Sequence, residues 1–327
     1  MLAQAVVFCG VDDVRIQDID MPPPERECVQ IRTLYSTISV GTETWALRDQ
    51  FSWAKTKFPG VPGYQRVGVI TALGEDVSDW RVGDKVMATT GSWNGPVGPW
   101  WGSHAAVANT HQRELYRIPA GVSDIDASAV VVAQVGYNAA YRAQFESGEW
   151  VVVYGDGIIG QFAAQAARSR GARVALVGHR KERLSLAAEF SADAVINNRE
   201  QNVVEAFKKL SGKSTARVIL DSVQHVDAQK EYVALLEHGK GQLVYCGFTP
   251  GTVWADMALL QQRELTAHFI SGWSRPRMDA TLELMAQRKL RMEPLVTHLV
   301  SPERGAELYR MALQKSAPFL GLTIQWS

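Results

Sequence analysis

Val151-Val152-Val153-Tyr154-Gly155-Asp156-Gly157-Ile158-Ile159-Gly160 is the stretch on which the fold turns. Three valines and a tyrosine read as a strand buried on both faces, and they run directly into three glycines spaced G-x-G-x-x-G. Gln161-Phe162-Ala163-Ala164-Gln165-Ala166-Ala167 comes next, an amphipathic, alanine-rich helix. Gly155 permits a tight turn, Gly157 lets backbone approach a pyrophosphate, and Gly160 lets helix pack closely on strand. Ile158 and Ile159 open the helix, where free N–H groups and the positive dipole end favour a phosphate.

Working outward, the same alternation continues on the C-terminal side. Strands are expected at 151–154, 173–177, 194–196, 218–220, 242–246 and 266–271, separated by helices at 159–169, 181–190, 203–210 and 228–236. Such alternation with short loops implies right-handed crossovers and a parallel sheet covered on both faces, an α/β unit. The tail adds helices at 276–287 and 302–313 and strands at 296–299 and 321–325. Upstream of residue 130 the pattern is all-β. Short apolar runs at 5–8, 28–33 and 67–73 are broken by turn signals such as Met21-Pro22-Pro23-Pro24 and Val82-Gly83-Asp84. Residues 91–102 (GSWNGPVGPWWG) are too rich in Gly, Pro and Trp for regular structure and are expected to form a surface loop or a pocket wall.

The bulk numbers agree with two domains. The chain has 327 residues, of which 46% are hydrophobic and 21% charged, with 34 basic and 34 acidic side chains. Zero net charge and no basic block argue against a nucleic-acid or acidic-membrane partner. No apolar run approaches the roughly 18 residues of a membrane span, and the first residues do not read as a signal peptide, so a cytoplasmic protein is expected. Three widely spaced cysteines, Cys9, Cys28 and Cys246, suit a reducing compartment.

The end of the second strand distinguishes between dinucleotides. An Asp or Glu there would accept hydrogen bonds from the adenine ribose of NAD(H). This strand ends instead in Gly178-His179-Arg180-Lys181, with no carboxylate before Glu182. A 2′-phosphate needs cationic donors, and a guanidinium matches it in charge and in forked geometry. Gly178 leaves room, Arg180 is the expected phosphate partner, and His179 and Lys181 are its candidate helpers. NADP(H) is therefore the expected cofactor; the alternative is a solvated basic helix start.

Taken together, the chain resembles the medium-chain dehydrogenase/reductase superfamily over essentially its whole length. Carrying the resemblance are Arg81-Val82-Gly83-Asp84-Lys85-Val86, Gly102-Ser103-His104-Ala105, residues 115–122 (LYRIPAGV) and the glycine loop. It implies a GroES-like catalytic β-domain over 1–132, completed by 273–327, and a Rossmann domain over 133–272. Zinc members carry Cys, His and Glu ligands. The corresponding positions here hold Ser39, Tyr64 and Gln65, and residues 131–138 offer no Cys, Asp, Glu or His. A hydroxyl, a phenol and a carboxamide are poor zinc donors, so no metal is expected. Two short segments, Ile38-Ser39-Val40-Gly41-Thr42-Glu43 and 58–68, are similar to those of a branch that includes the bacteriochlorophyllide dehydrogenases.

The resemblance implies hydride transfer at the nicotinamide C4 in the cleft between domains. Without a metal, a hydroxyl or amide must stabilise the developing oxyanion or deliver a proton. Tyr64 leads the candidates, with Ser39 and Thr42 secondary and Gln65 as an orienting group. The alternative for Tyr64 is a packing residue filling the vacated metal cavity. Glu43 could bind a substrate cation, relay a proton, or pair with Arg66. Ser222, Cys246, Gly247, Phe248 and Gly272 lie at strand ends that hold the nicotinamide carboxamide in relatives. Trp93, Trp100, Trp101 and Trp273 suggest walls for a hydrophobic or ring-bearing substrate, or else a subunit contact. The leading reading is a zinc-independent, NADP(H)-dependent alcohol dehydrogenase or carbonyl reductase; the alternatives are an enoyl or quinone reductase and a non-catalytic NADPH-binding protein of crystallin type. A homodimer joined near residues 266–270 is the resemblance's default.

Overall fold

A computed structural model describes residues 1–249 and 255–326. They form two compact units, Met1–Val131 with Leu295–Ser327, and Val132–Pro294.

The second unit is built on six parallel strands. In chain order they are Trp150–Tyr154, Arg173–Gly178, Ala194–Asn197, Val218–Asp221, Gln242–Tyr245 and Thr266–Phe269. Across the sheet they run third, second, first, fourth, fifth, sixth. The order reverses between the first and fourth strands, which places a crevice at their C-terminal ends, where ligands of open α/β sheets bind. Every residue of Trp150–Tyr154 is buried, as a central strand covered on both faces requires. Helix Ile158–Ser169 buries Gly160 through Ala167, and its small side chains allow close approach to the sheet. Trp150, Val152, Tyr154, Phe207, Tyr232 and Leu243 belong to one core cluster; emptying a position such as Phe207 would cost about 3–5 kcal/mol.

One boundary differs from the sequence expectation. The chain leaves this unit at Pro294, not at residue 273. Helix Arg275–Ala286 belongs to the second unit, and the segment after it is tied there by Gln165. The Gln165 amide donates to Arg291 O and accepts from Arg291 N at 3.3 and 2.7 Å.

The first unit contains a four-stranded and a seven-stranded sheet. Strand Gly321–Gln325 lies within the larger one, antiparallel to Cys28–Thr37 and parallel to Val296–Val300. Residues 91–102 are largely irregular, with only Gly98–Pro99 pairing to Gly60–Val61. Among the described residues, no helix is long and apolar enough to cross a membrane.

Candidate active site

In the second unit the glycine loop has the geometry a dinucleotide needs. Gly155 sits at φ +113°, open to glycine and strained for other residues, and a Cβ there would come within 2.2 Å of Ser222 Oγ. A Cβ on Gly160 would strike Gly155 O at 1.9 Å, which fixes the helix against the turn. Gly157 is different, because a Cβ there would meet only Arg183 Nη1, at 4.0 Å. Gly157 is also the N-cap of helix Ile158–Ser169 and makes no side-chain cap bond. An anion can therefore reach the loop and the helix N–H groups, the arrangement that fits a pyrophosphate. Ser222 donates to Tyr154 O at 2.8 Å, and Gly247 closes on Ser222 O, where a Cβ would come within 2.8 Å. Phe248 is half exposed beside them. Gly272, at φ +60°, accepts from Gln134 at 3.2 Å. The Cys246 thiol donates to Asp221 O, and burial pushes its pKa up, so it is a packing group and not a nucleophile.

At the end of the second strand stands a carboxylate that the strand does not supply. Asp156, from the glycine loop, is buried there. Its Oδ2 accepts from His179 N and Arg180 N, both at 2.9 Å. Its Oδ1 pairs with Arg180 Nη1 at 2.8 Å and Arg183 Nη1 at 3.5 Å. Burial pushes the Asp156 pKa up, but the two backbone donors and the Arg180 charge outweigh it and hold the carboxyl below its usual range. His179 is lowered by burial and by its cationic neighbours Arg180, Arg199 and Arg183, evidence of a locally positive potential. Lys181 extends to Glu200 at 3.3 Å. Asp156 and Arg183 were not among the expected site residues, although Asp156 lies inside the motif itself.

In the first unit Tyr64 is held inside a polar network. Gly63, at φ +88°, sets up the turn before it, and a Cβ on Gly63 would strike the His104 ring at 2.5 Å. The Tyr64 phenol hydrogen-bonds to Ser39 and Thr42, while burial and then the nearby Glu43 charge push its pKa up to about 12. It is a stable proton donor at neutral pH. Ser39 is buried and Thr42 half-buried at the start of helix Val40–Leu47. Glu43 fixes that helix start by accepting from Ser39 N at 2.7 Å.

Three expectations about this region need correction. Glu43 is fully buried and does not pair with Arg66; its other oxygen meets His104 Nε2 at 2.9 Å and the Tyr309 hydroxyl at 2.5 Å. It lies behind the site and does not line a substrate pocket. Arg66 donates instead to Gly102 O, Ser103 and Thr110. Gln65 donates to Thr37 O at 3.0 Å and so is an anchor of the sheet. His104 is fully buried in the same network, its Nδ1 lying 2.7 Å from Ser36 Oγ. Trp326 donates to the same Ser36 oxygen at 2.8 Å.

The aromatic residues also divide. Trp101 packs edge-on to Tyr64 (5.3 Å between centroids) and to Phe51 (6.3 Å), and lies 5.4 Å from Trp100. Trp53 continues this wall, 4.9 Å from Phe51 and 61% exposed. Trp93, by contrast, is a core residue packed with Ala3, Val7 and Val61, its ring filling the space over Gly91 and Gly102. Trp273 belongs to the other unit.

The donor set around Tyr64 does not suit zinc. Ser39, Thr42 and Tyr64 offer neutral hydroxyls, and Glu43 and His104 are engaged with one another. Among the described residues, no group of three His, Cys, Asp or Glu side chains could hold a metal ion.

Comparison with known proteins agrees with this architecture. Residues 26–120 match the alcohol dehydrogenase GroES-like domain, and residues 159–287 match the zinc-binding dehydrogenase model. D-guloside 3-dehydrogenase of Escherichia coli is 30% identical over 267 residues, 76% of this chain and 72% of that protein. The chain belongs to the medium-chain dehydrogenase/reductase superfamily. Another member of this superfamily, sorbitol dehydrogenase of Halalkalibacterium halodurans, is 27% identical over 311 residues, 88% of this chain and 89% of its own. Among solved structures, an E. coli oxidoreductase/dehydrogenase of unknown specificity involved in membrane biogenesis superposes with a TM-score of 0.88 at 19% identity, covering both chains fully. The superfamily's reductase and dehydrogenase members give this chain its reaction class, an oxidoreductase.

Proposed function

We propose that this medium-chain reductase transfers hydride between NADP(H) and a carbonyl or alcohol of a ring-bearing or hydrophobic substrate, without a catalytic metal. The unit Val132–Pro294 is the nucleotide-binding body, and the other unit supplies the chemistry. The observation that carries the reading is Tyr64, a protonated phenol held by two hydroxyls where a zinc relative needs charged ligands.

The nicotinamide supplies the hydride. Tyr64 donates its hydrogen bond to the substrate oxygen as negative charge develops there. A phenol near 12 remains more acidic than an alcohol, so proton delivery to an alkoxide is downhill. Ser39 and Thr42 aim the phenol, and Glu43 keeps their helix turn in place. Trp101, Phe51 and Trp53 favour flat apolar substrates at this edge. Arg180, Arg183 and Arg199 around His179 favour NADPH. A homodimer through strand Thr266–Phe269 is supported by its edge position and by Phe269, 67% exposed.

The test is NADPH oxidation against a panel of aldehydes, ketones, enones and quinones, with metal analysis on the same sample. Turnover of a carbonyl without stoichiometric metal is expected. Turnover confined to enones or quinones would move the protein to the C=C reductases, and binding without turnover would make it a non-catalytic NADPH carrier. Activity-essential zinc would overturn the metal-free reading. Tyr64→Phe is expected to lower kcat by about 100-fold, the usual loss of one oxyanion donor; unchanged kcat removes Tyr64 from the mechanism.

A further inference from the structure

A carboxylate at the end of the second strand would ordinarily mark an enzyme that reads the ribose of NADH. Asp156 occupies that place, yet it comes from the glycine loop and is not free to bind a ribose. An ionised carboxylate has about four acceptor positions. All four are used within this chain: Oδ2 by the His179 and Arg180 backbone N–H groups, Oδ1 by the Arg180 and Arg183 guanidiniums. Gly178 is coupled to this arrangement, since a Cβ there would come within 2.6 Å of Asp156 Cβ. The two arginines differ in exposure. The Arg180 side chain is 44% exposed, whereas that of Arg183 is 14% exposed beside Gly157. One negative charge thus gathers two positive ones, leaving one surplus positive charge next to the loop.

We infer that Asp156 is a positioning residue for nucleotide choice: by holding Arg180 and Arg183 on one oxygen, it presets a two-guanidinium clamp for the adenosine 2′-phosphate. The inference rests on the NADPH reading above. It makes a carboxylate a requirement for binding a dianion, the opposite of what charge repulsion alone predicts. In Asp156→Asn the remaining oxygen is claimed by the two backbone N–H groups. The amide NH2 then faces the guanidiniums, donor against donor, and both arginines lose their anchor.

The experiment measures binding to the full chain and needs no substrate. Dissociation constants for NADPH and NADH are read from nucleotide fluorescence, and those for adenosine 2′,5′-bisphosphate and 5′-AMP by calorimetry. Asp156→Asn is expected to weaken NADPH and the bisphosphate about tenfold, ~1.4 kcal/mol, while NADH and AMP change less than about twofold. In an Arg180→Ala background the Asp156→Asn effect should shrink, because the two share one interaction. Tighter NADPH binding, no change, or equal weakening of both nucleotides in Asp156→Asn would overturn the inference. Arg180→Ala separates the two levels. If it weakens NADPH and NADH alike, the NADPH reading itself fails; if it is selective while Asp156→Asn is silent, only the positioning role fails. Should Asp156→Asn not yield folded protein, Arg183→Met carries the test, with the same selective weakening expected and no selectivity overturning it.

Discussion

Around the glycine loop, charge is met by charge at a half-open surface: one buried carboxylate, two guanidiniums and a ring of backbone N–H groups. Around Tyr64, the polar groups are hydroxyls inside the protein, and the single carboxylate is sealed behind them with an imidazole and a second phenol. The first region is contributed by residues 155–183, almost one continuous piece of chain. The second assembles Ser36, Ser39, Glu43, Tyr64, His104, Tyr309 and Trp326 from across the sequence. One polar cluster is thus built by a local motif, the other by tertiary contacts.

This contrast can be broken experimentally, beginning with the largest effect. Gly160→Val would drive a side chain into Gly155 O, and NADPH affinity should fall by about 100-fold, ~3 kcal/mol, measured by fluorescence titration. Retained affinity would show that the loop is not the nucleotide's cradle. Glu43→Gln should destabilise the first unit by about 2–4 kcal/mol, because Ser39 N, His104 and Tyr309 lose a buried charged acceptor. Thermal unfolding reports the loss, and NADPH affinity should stay within about twofold; a parallel loss of affinity would show that the two regions are not independent.

Acid titration sharpens the same comparison. The folded-state pKa of Asp156 is lowered, so its stabilisation is present above the unfolded value of about 3.9 and is lost as pH falls through the lower folded value. Asp156→Asn should therefore flatten the stability curve below about pH 4, followed by circular dichroism; an unchanged curve would exclude Asp156 as a source of the acid response. Asp221 behaves oppositely. Burial raises its pKa, so its contribution is present below about 3.9 and is lost as pH rises through the folded value. Asp221→Asn can still accept from Val223 N and Gln224 N and should gain on the order of 1 kcal/mol at pH 8. A loss there would mean that its ionised form is stabilising.

The parallel sheet and its glycine loop were legible because each element announces itself within a dozen residues. Val151 to Tyr154 predict a buried strand, and the glycines fix the turn and the helix beyond it. The cationic strand end was legible too, but Asp156 was not. Its position in the motif gives no hint that its side chain turns back to the second strand, a fact visible only once Gly178 and the loop are neighbours. The Tyr64 network was legible as residue types, not as pairings. Glu43 had Arg66 as an obvious partner by charge, yet the fold brings His104, 61 positions away, and Tyr309, 266 positions away. Trp93 was misplaced for a related reason: a Trp in a Gly- and Pro-rich loop looks like a wall, but this ring fills the space left by Gly91 and Gly102.

Strand Gly321–Gln325 carries a consequence for how the molecule is made. Thr323 pairs with Thr37 across 286 positions, and Trp326 reaches the serine that supports His104. On the ribosome, domains tend to fold in the order in which they emerge. Here Val132–Pro294 is fully translated while the earlier-born β unit still lacks an interior strand. That unit must wait, half-assembled and with an open sheet edge, for Gly321–Gln325, so a released chain truncated near residue 300 would hold the whole Val132–Pro294 body beside an unfinished β unit.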